Sequence, residues 1–584
     1  MPSQTQTHFH DRAWWKEATI YQIYPASFKD SNSDGLGDIQ GILQNMDYIT
    51  SLGVDAIWLC PIFESPQIDM GYDISDYENV HEPFGTVKDV EVLIKTCHEN
   101  NIKVLLDLVA NHTSDQHAWF KESRSSKDNP KRDWYYWRPA RYDSNGNRMP
   151  PTNYMSYFTG SAWEWDEHTE EYYLHLYDKS QPDLNWENED CRRAIYDSAM
   201  RFWLDKGIDG FRIDAANKIS KFLPFTDAPV TDPTSAIQPA PAIWCNGPRI
   251  HEFLKELNRD VLSHYRTYDN QAIMTVGELS MCSDPPMATP YVSAAEKELD
   301  VVFQFDITHL GQSPKGYNYR YDYTPFKLAD MKRITEKWQC FIDGTDTWTT
   351  VFNENHDNGR SVSRYANDSP EWRVQSAKML ALWLIGQSGT LFLYQGQEIG
   401  MVNAPKEWDM DEYKSVDAEN YWSEAMRSAD AERRELIRYG LQIMARDHPR
   451  LPMQWDGSDN AGFTQGKPWM RVHDAFGEIN VQRQELDEES VLAFYKQVLR
   501  LRKEHKDVFV YGTFELVDLE DEKGFVYKKR YGEKMAMVVL NFTTETQPLI
   551  GAEGLKLFVS SYAKSSDTDK GMLQPLEGRI YVNY

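Results

Sequence analysis

KVLLDLV, residues 103–109, is an apolar run broken only by Asp107. Such a run has no polar face, as expected of a parallel strand buried on both sides. Upstream, Val90, Leu93, Ile94 and Cys97 recur at helical spacing, preceded by the strand candidate VDAIWLCPIF (54–63). Before that, Ile39, Ile42, Leu43, Met46, Ile49 and Leu52 trace an amphipathic helix closed by Gly53, and TIYQIYPASF (19–28) reads as a first strand. Downstream the alternation stops after His112. Residues 113–187 are rich in Trp, Tyr, Pro, Asn and Asp without helical period, and read as an inserted subdomain because long structureless loops are rare in compact domains. The alternation resumes with a helix bearing Ile195, Ala199 and Phe202, then Gly207 and the strand GIDGFRIDA (207–215). IMTVGE (273–278), VVFQFD (301–306), TTVFNENHD (349–357) and TLFLYQGQEIG (390–400) supply four more strands.

Eight strands separated by helical segments predict an α/β chain folded as a (β/α)8 barrel. Past residue 512, FELVDL, GFVYKKRY, KMAMVVLNF, KLFVSSY and RIYVNY are short strands parted by charged or glycine-bearing turns, the pattern of a small antiparallel β-sandwich. The expected division is a barrel over 1–112 and 188–511, an insertion over 113–187 and a sandwich over 512–584. There is no internal repeat and no low-complexity tract.

Apolar residues make up 41% of the 584 and aromatics 13%, enough for a large core and too much for a disordered chain. The formal charge of −28 repels phosphate backbones and anionic lipid, which argues against nucleic-acid and membrane partners. No stretch reaches the roughly 20 apolar residues of a membrane helix. The N-terminal MPSQTQTHFHDRAWWKEATIYQ lacks the basic flank and apolar run of a signal peptide. Six scattered cysteines with no CxxC pair point to reduced thiols and a cytoplasmic protein, in which the sequons at Asn367 and Asn541 stay unmodified. A monomer is expected.

Active sites of such barrels lie at the C-terminal strand ends, and ionisable residues cluster there: Asp107 and His112, Arg212 and Asp214, Glu278, His356 and Asp357. One carboxylate closing an apolar strand is more often a structural ion pair; three on different strands, with two histidines and an arginine, are hard to explain that way. Glycoside hydrolysis needs two carboxyls flanking the scissile bond, one ionised and one protonated. Arg212, two residues before Asp214, faces the same side and favours the ionised form of Asp214, leaving Glu278 to carry a proton. The spacing alone supports a carboxylate enzyme in a barrel and no more.

The ordered segments YQIYPASFKDSNSDGLGDIQGI, DLVANH (107–112), GFRIDA (210–215), VGE (276–278) and NENHD (353–357) resemble the motifs of glycoside hydrolase family 13, the α-amylase superfamily, over essentially the whole chain. QPDLNW (181–186) and ARDHPRLPMQW (445–455) resemble its α-glucosidase and oligo-1,6-glucosidase branch. The resemblance implies Asp214 as nucleophile, Glu278 as acid/base and Asp357 as a third carboxylate steadying the transition state. It implies His112, Arg212 and His356 around the −1 glucose, Asp69 and Arg446 gripping its far side, Tyr72 stacked on the ring, and Phe158 and Tyr177 as walls. A pocket so closed accepts only chain ends, hence an exo-acting α-glucosidase taking small α-glucosides. In relatives, valine after the nucleophile goes with α-1,6 links, and threonine or alanine with α-1,4; Ala215 therefore implies maltose-like substrates, with sucrose possible. Leu451 departs from the threonine common in relatives.

DSNSDGLGD (30–38) spaces oxygen side chains at positions one, three, five and nine with Gly35 at six, like the start of an EF-hand loop, although Gly41 stands where the bidentate glutamate belongs. Relatives bind calcium through residues matching Asp30, Asn32, Asp34, the Leu36 carbonyl and Asp38, so a structural Ca2+ is expected; the alternative is a polar turn capping the next helix. Other functions remain open: an isomaltase or sucrose isomerase on the same scaffold, some transglycosylation, and a phosphosugar hydrolase, which needs a basic anion site the sequence does not cluster. A catalytically dead transporter subunit is disfavoured, since the carboxylate trio is present and no anchor is.

Overall fold

The computed structural model describes residues 11–313, 320–428, 430–562 and 571–584. Residues 1–10, on which the reading of the N-terminus partly rests, lie outside them.

All eight expected strands form: β1 Thr19–Ile23, β2 Ala56–Leu59, β3 Lys103–Val109, β4 Gly210–Asp214, β5 Met274–Glu278, β6 Val301–Phe303, β7 Thr350–Val351 and β8 Thr390–Tyr394. They are parallel, ordered β6-β5-β4-β3-β2-β1-β8-β7. Between the two end strands the Thr350 hydroxyl donates to the Val302 carbonyl at 2.9 Å, bringing the sheet round into a barrel. Every residue of β3 is buried, as a strand covered on both faces requires. Gly210 is needed where β4 meets β5, because a Cβ there would stand 2.5 Å from the Met274 carbonyl oxygen.

The helices differ from expectation in two places. The one expected from Ile39 to Leu52 is two, Ile39–Gln44 and Met46–Ser51, broken at Asn45, whose φ of −110° and ψ of 20° are not helical. The helix before β4 runs Glu189–Ile195, widens into a π turn over Tyr196–Arg201, and ends in Phe202–Leu204. A π turn shifts the register of the buried face by one residue, so Phe202 is half-buried while Trp203 is buried.

The segment after β3 carries a helix, Ala118–Ser125, capped by the His117 ring on the Trp119 amide. Its apolar face is short, with only Phe120 and Ser123 buried, so helical spacing is faint in the sequence. A three-stranded antiparallel sheet follows, ordered Trp137–Arg138, Glu171–Leu174, Trp163–Asp166. The core of this layer, built on Tyr136, Tyr157, Phe158 and Trp163, is completed by Ala228, Ala240, Trp244 and Cys245 from beyond β4. No periodicity marks that return of the chain.

At the C-terminus five strands, Thr513–Leu516, Gly524–Tyr531, Lys534–Asn541, Lys556–Ser560 and Gly578–Val582, form an antiparallel sheet. One face packs on helix Arg373–Ile385, where the Tyr527 hydroxyl donates to the Trp383 carbonyl at 3.0 Å. Met537, Val539 and Tyr581 pack with Leu573 of a two-stranded sheet, Gln547–Pro548 and Met572–Leu573, giving the two layers of a small sandwich.

Candidate active site

β4 ends on Asp214 and β5 on Glu278, neighbouring strands of the barrel. The register sets Arg212 directly beside Asp107 of β3, with Asp214 one pleat further along the same face. The Arg212 guanidinium therefore meets three carboxyls: Nη1 donates to Asp107 at 2.7 Å and to Asp214 at 2.8 Å, and Nη2 donates to Glu278. Trp58 donates to the other Asp107 oxygen at 2.8 Å, fixing this base of the site. Asp214 and Glu278 are thus held by the two nitrogens of one guanidinium, on neighbouring strand ends.

The two carboxyls are made unequal by their surroundings. Burial pushes Glu278 up to about 7, Arg212 opposing and the Asp214 charge adding to the rise. Burial raises Asp214 as well, but Arg212 pulls it back and leaves a smaller rise. One proton shared by the pair therefore rests on Glu278. Asp107 goes up to about 6 by burial, against Arg212. Arg212 was expected beside Asp214 alone; it is the common counter-ion of both carboxyls and of a buried third.

After β7 the chain brings in His356 and Asp357. The Gln22 side-chain nitrogen lies 2.8 Å from His356 Nδ1, which assigns the ring proton to Nε2, 2.8 Å from the Tyr72 hydroxyl. Tyr72 stacks on this ring with centroids 5.3 Å apart. Burial and the nearby Arg212, Arg450 and Arg446 hold His356 well below its ordinary value, so it is neutral. Burial also opposes the Asp357 charge, yet Arg446 at 2.8 Å and Arg450 at 2.9 Å outweigh it and hold the carboxyl well below its usual range. Asp69 faces Arg446 at 3.2 Å and accepts from Gln181 at 3.1 Å; burial pushes it up to about 6 against that arginine. His112, with Nε2 3.1 Å from the Tyr72 carbonyl oxygen, is neutral, burial taking it down to about 4.

These residues enclose a narrow pocket, about 490 Å³ of space when its open mouth is counted. Of the residues expected, Asp69, Tyr72, His112, Phe158, Tyr177, Asp214, Glu278, Asp357 and Arg446 line it. Arg212 and His356 stand behind the lining and act through Asp214, Glu278 and Tyr72. Ala215 is fully buried and also off the lining; its φ of 46° and ψ of 38° are left-handed, turning the chain sharply just past Asp214. Sequence reading passed over Lys218, Arg320, Tyr157 and Ser280 in the lining. It also passed over Asp417, which accepts from Arg320 at 3.1 Å and lies 3.8 Å from Arg446. Gln181 and Arg450 fall inside the quoted segments QPDLNW and ARDHPRLPMQW and were within reach; nothing local marks Arg320 or Asp417.

The loop 30–38 lies apart from this pocket. Asp30 accepts from the amides of Asn32, Ser33 and Gly35 and from Thr464, Asn32 from the Asp34 amide, and Asp34 from the Leu36 amide. Asp38 accepts from Ser31 and caps helix Ile39–Gln44 through the Gly41 amide at 2.6 Å. Among the described residues no group of three or more His, Cys, Asp or Glu side chains is gathered as a metal would need.

A buried carboxyl pair sharing one arginine at the strand ends of a (β/α)8 barrel, beside a third carboxylate held by two arginines, is the site of a glycoside hydrolase. Residues 22–512 match the α-amylase catalytic domain. An α-glucosidase of Candida albicans is 51% identical, with 98% of this chain and 99% of that protein covered, and an oligo-1,6-glucosidase of Saccharomyces cerevisiae is 46% identical over 98% of each. Among solved structures, isomaltulose synthase from Klebsiella sp. LX3 superposes with a TM-score of 0.90 at 36% identity, covering 98% of this chain and 99% of that one. Trehalose-6-phosphate hydrolase from Bacillus licheniformis does so at 0.88 and 39%, covering 98% and 100%. The chain belongs to the α-amylase family of glycoside hydrolases, family 13.

Proposed function

We infer that the chain is a retaining, exo-acting α-glucosidase that releases terminal glucose from maltose-like disaccharides and short oligosaccharides. The observation that carries this reading is that the Asp214–Glu278 pair and the Asp69–Arg446 ion pair line one and the same pocket. A pocket blocked by an ion pair has room for a chain end and none for a passing chain.

In the proposed reaction Asp214 attacks the anomeric carbon while Glu278 gives its proton to the departing oxygen, and the glycosidic bond breaks with its electron pair on that oxygen. Asp357, kept ionised by Arg446 and Arg450, supports the positive charge developing on the ring. Glu278, now ionised, takes a proton from water as the water displaces Asp214, and glucose leaves with its anomeric configuration retained. The neutral rings of His112 and His356 add no fixed charge to compete with that developing charge. A sugar hydroxyl in place of water gives transglycosylation.

An α-1,4 preference rests on Ala215 through the family resemblance alone, and the relatives include both α-glucosidase and oligo-1,6-glucosidase. Glucose release from maltose and isomaltose, side by side with Asp214→Asn as blank, decides it. Maltose cleavage alone supports the preference, cleavage of both removes it, and cleavage of neither removes the α-glucosidase reading.

A cytoplasmic location and a monomeric state belong to the same proposal. Six free cysteines, five of them buried, support a reducing compartment, and no helix among the described residues is long and apolar enough to cross a membrane. Light scattering at a mass other than that of one 68.1 kDa chain would remove the monomer. A calcium ion at loop 30–38 is proposed as structural only. It is supported by the oxygen spacing of Asp30, Asn32, Asp34 and Asp38. Metal analysis of the purified protein, with melting curves before and after chelation, tests it; absent metal and an unmoved Tm would discard it.

A further inference from the structure

Gln22 is a buried amide in β1, only 1% exposed. It stands in register with Trp58 of β2, whose indole donates to Asp107 at the base of the site, so the two side chains leave the sheet on the same face. Its amide nitrogen donates to Cys60 Sγ at 3.2 Å and lies 2.8 Å from His356 Nδ1. The other ring nitrogen, Nε2, lies 2.8 Å from the Tyr72 hydroxyl and 3.4 Å from Asp357 Oδ2. Asp357 Oδ1 is taken by Arg446 and Arg450, so Oδ2 is the oxygen turned to the ring.

The two ring nitrogens of His356 cannot be alike in these surroundings. A buried imidazole with Arg212, Arg446 and Arg450 near it carries one proton, not two. The other rings packed on it, Tyr24, Tyr72 and Trp58, bring no charge. The proton belongs on Nε2, because a lone pair there would face the Asp357 carboxylate. Nδ1 is then a buried acceptor, and such an atom is costly without a donor. Among the described residues Gln22 is its only hydrogen-bond partner. The amide orientation follows from the same reasoning. With its oxygen turned to Nδ1 instead, Gln22 would draw the hydrogen away from Asp357 or call for a second one.

We propose that Gln22 is a positioning residue for the reaction: by offering Nδ1 a donor and no acceptor, it holds His356 as the neutral ring with its hydrogen on Nε2, turned to Asp357 and Tyr72. Asp357 thereby keeps its full charge for the positive charge developing on the sugar, since a second proton on His356 would offset part of it from 3.4 Å away. Gln22 is not part of the pocket lining and acts through His356 alone. The assignment rests on the role proposed for Asp357.

Nitrogen NMR of protein grown with isotope-labelled histidine reads the ring directly, His356 being the ring whose signals vanish in His356→Gln. The wild type is expected to show a single neutral form with its hydrogen on Nε2, and Gln22→Met to lose that single form. In kinetics on maltose, with Asp214→Asn as blank, Gln22→Met is expected to lose about tenfold in kcat with KM little changed. His356→Gln removes Nδ1 and keeps a terminal N–H, so adding Gln22→Met to it should lower kcat no further. A wild-type ring with its hydrogen on Nδ1, a doubly protonated ring, or an equal Gln22→Met loss in both backgrounds overturns the proposal. If Gln22→Met does not fold, the wild-type spectrum decides alone. A wild type inactive on maltose instead removes the α-glucosidase reading and leaves the spectrum to judge the ring.

Discussion

At the scale of single residues, Arg212 joins Asp107, Asp214 and Glu278, and the chemistry follows from how unequally it serves them. Glu278, raised to about 7, must be protonated to act and Asp214 must be ionised. The profile of kcat/KM is therefore expected to be bell-shaped, falling as pH rises through about 7 and falling again in acid as Asp214 takes a proton. Glu278→Gln should lose the upper limb together with about 10²–10⁴ of the rate on poor leaving groups; an upper limb kept in that variant would assign the proton elsewhere. Ala215 makes a second prediction. A β-branched residue is strained in its left-handed backbone, by about 1–2 kcal/mol, so Ala215→Val should lower Tm whatever it does to linkage, whereas Ala215→Gly should not. Equal Tm values for both variants would contradict the backbone argument. The carboxylates were legible in the sequence because charge at the end of an apolar strand is conspicuous. Lys218, Arg320 and Asp417 were not, because the pairing that makes them matter joins residues from separate loops.

At the scale of elements, one ion-pair network ties the segment after β2 to that after β7 and to helix Asp447–Arg450: Asp69 to Arg446, and Asp357 to Arg446 and Arg450. Removing Arg446 leaves Asp69 and part of Asp357 buried without their partner, and breaking such a pair typically costs about 3–5 kcal/mol. Arg446→Ala should lower Tm and raise KM for maltose together; a raised KM at unchanged Tm would make the arginine a substrate contact with no part in holding the pocket. The strands were readable for the opposite reason to these ties. β3 is buried along its whole length, and burial on both faces writes itself as an unbroken apolar run. The layer after β3 was readable only as an insertion, since part of its core, Ala228, Ala240, Trp244 and Cys245, returns from beyond β4 by tertiary packing that no local period records.

At the scale of the whole molecule, the C-terminal sandwich meets the barrel at a buried cation, Lys529, that has no carboxylate partner among the described residues. Lys529 of the sandwich donates to Ser388 and, at 3.4 Å, to Gln339 of the barrel. Burial lowers Lys529 to about 7. Between that value and the ordinary lysine value near 10.5, the unfolded chain holds a proton that the folded chain has lost, so this group's share of stability grows as pH rises through that window. Lys529→Met should accordingly raise Tm at pH 6 relative to wild type by more than at pH 10; an equal shift at both would show that the lysine is not titrating there. The central claim concerns Asp214 and Glu278, and it is tested most directly by the configuration of the first product. Proton NMR of 4-nitrophenyl α-glucopyranoside mixed with the enzyme, followed before mutarotation sets in, should show α-glucose appearing first and none with Asp214→Asn. β-Glucose appearing first would mean inversion and would contradict the account.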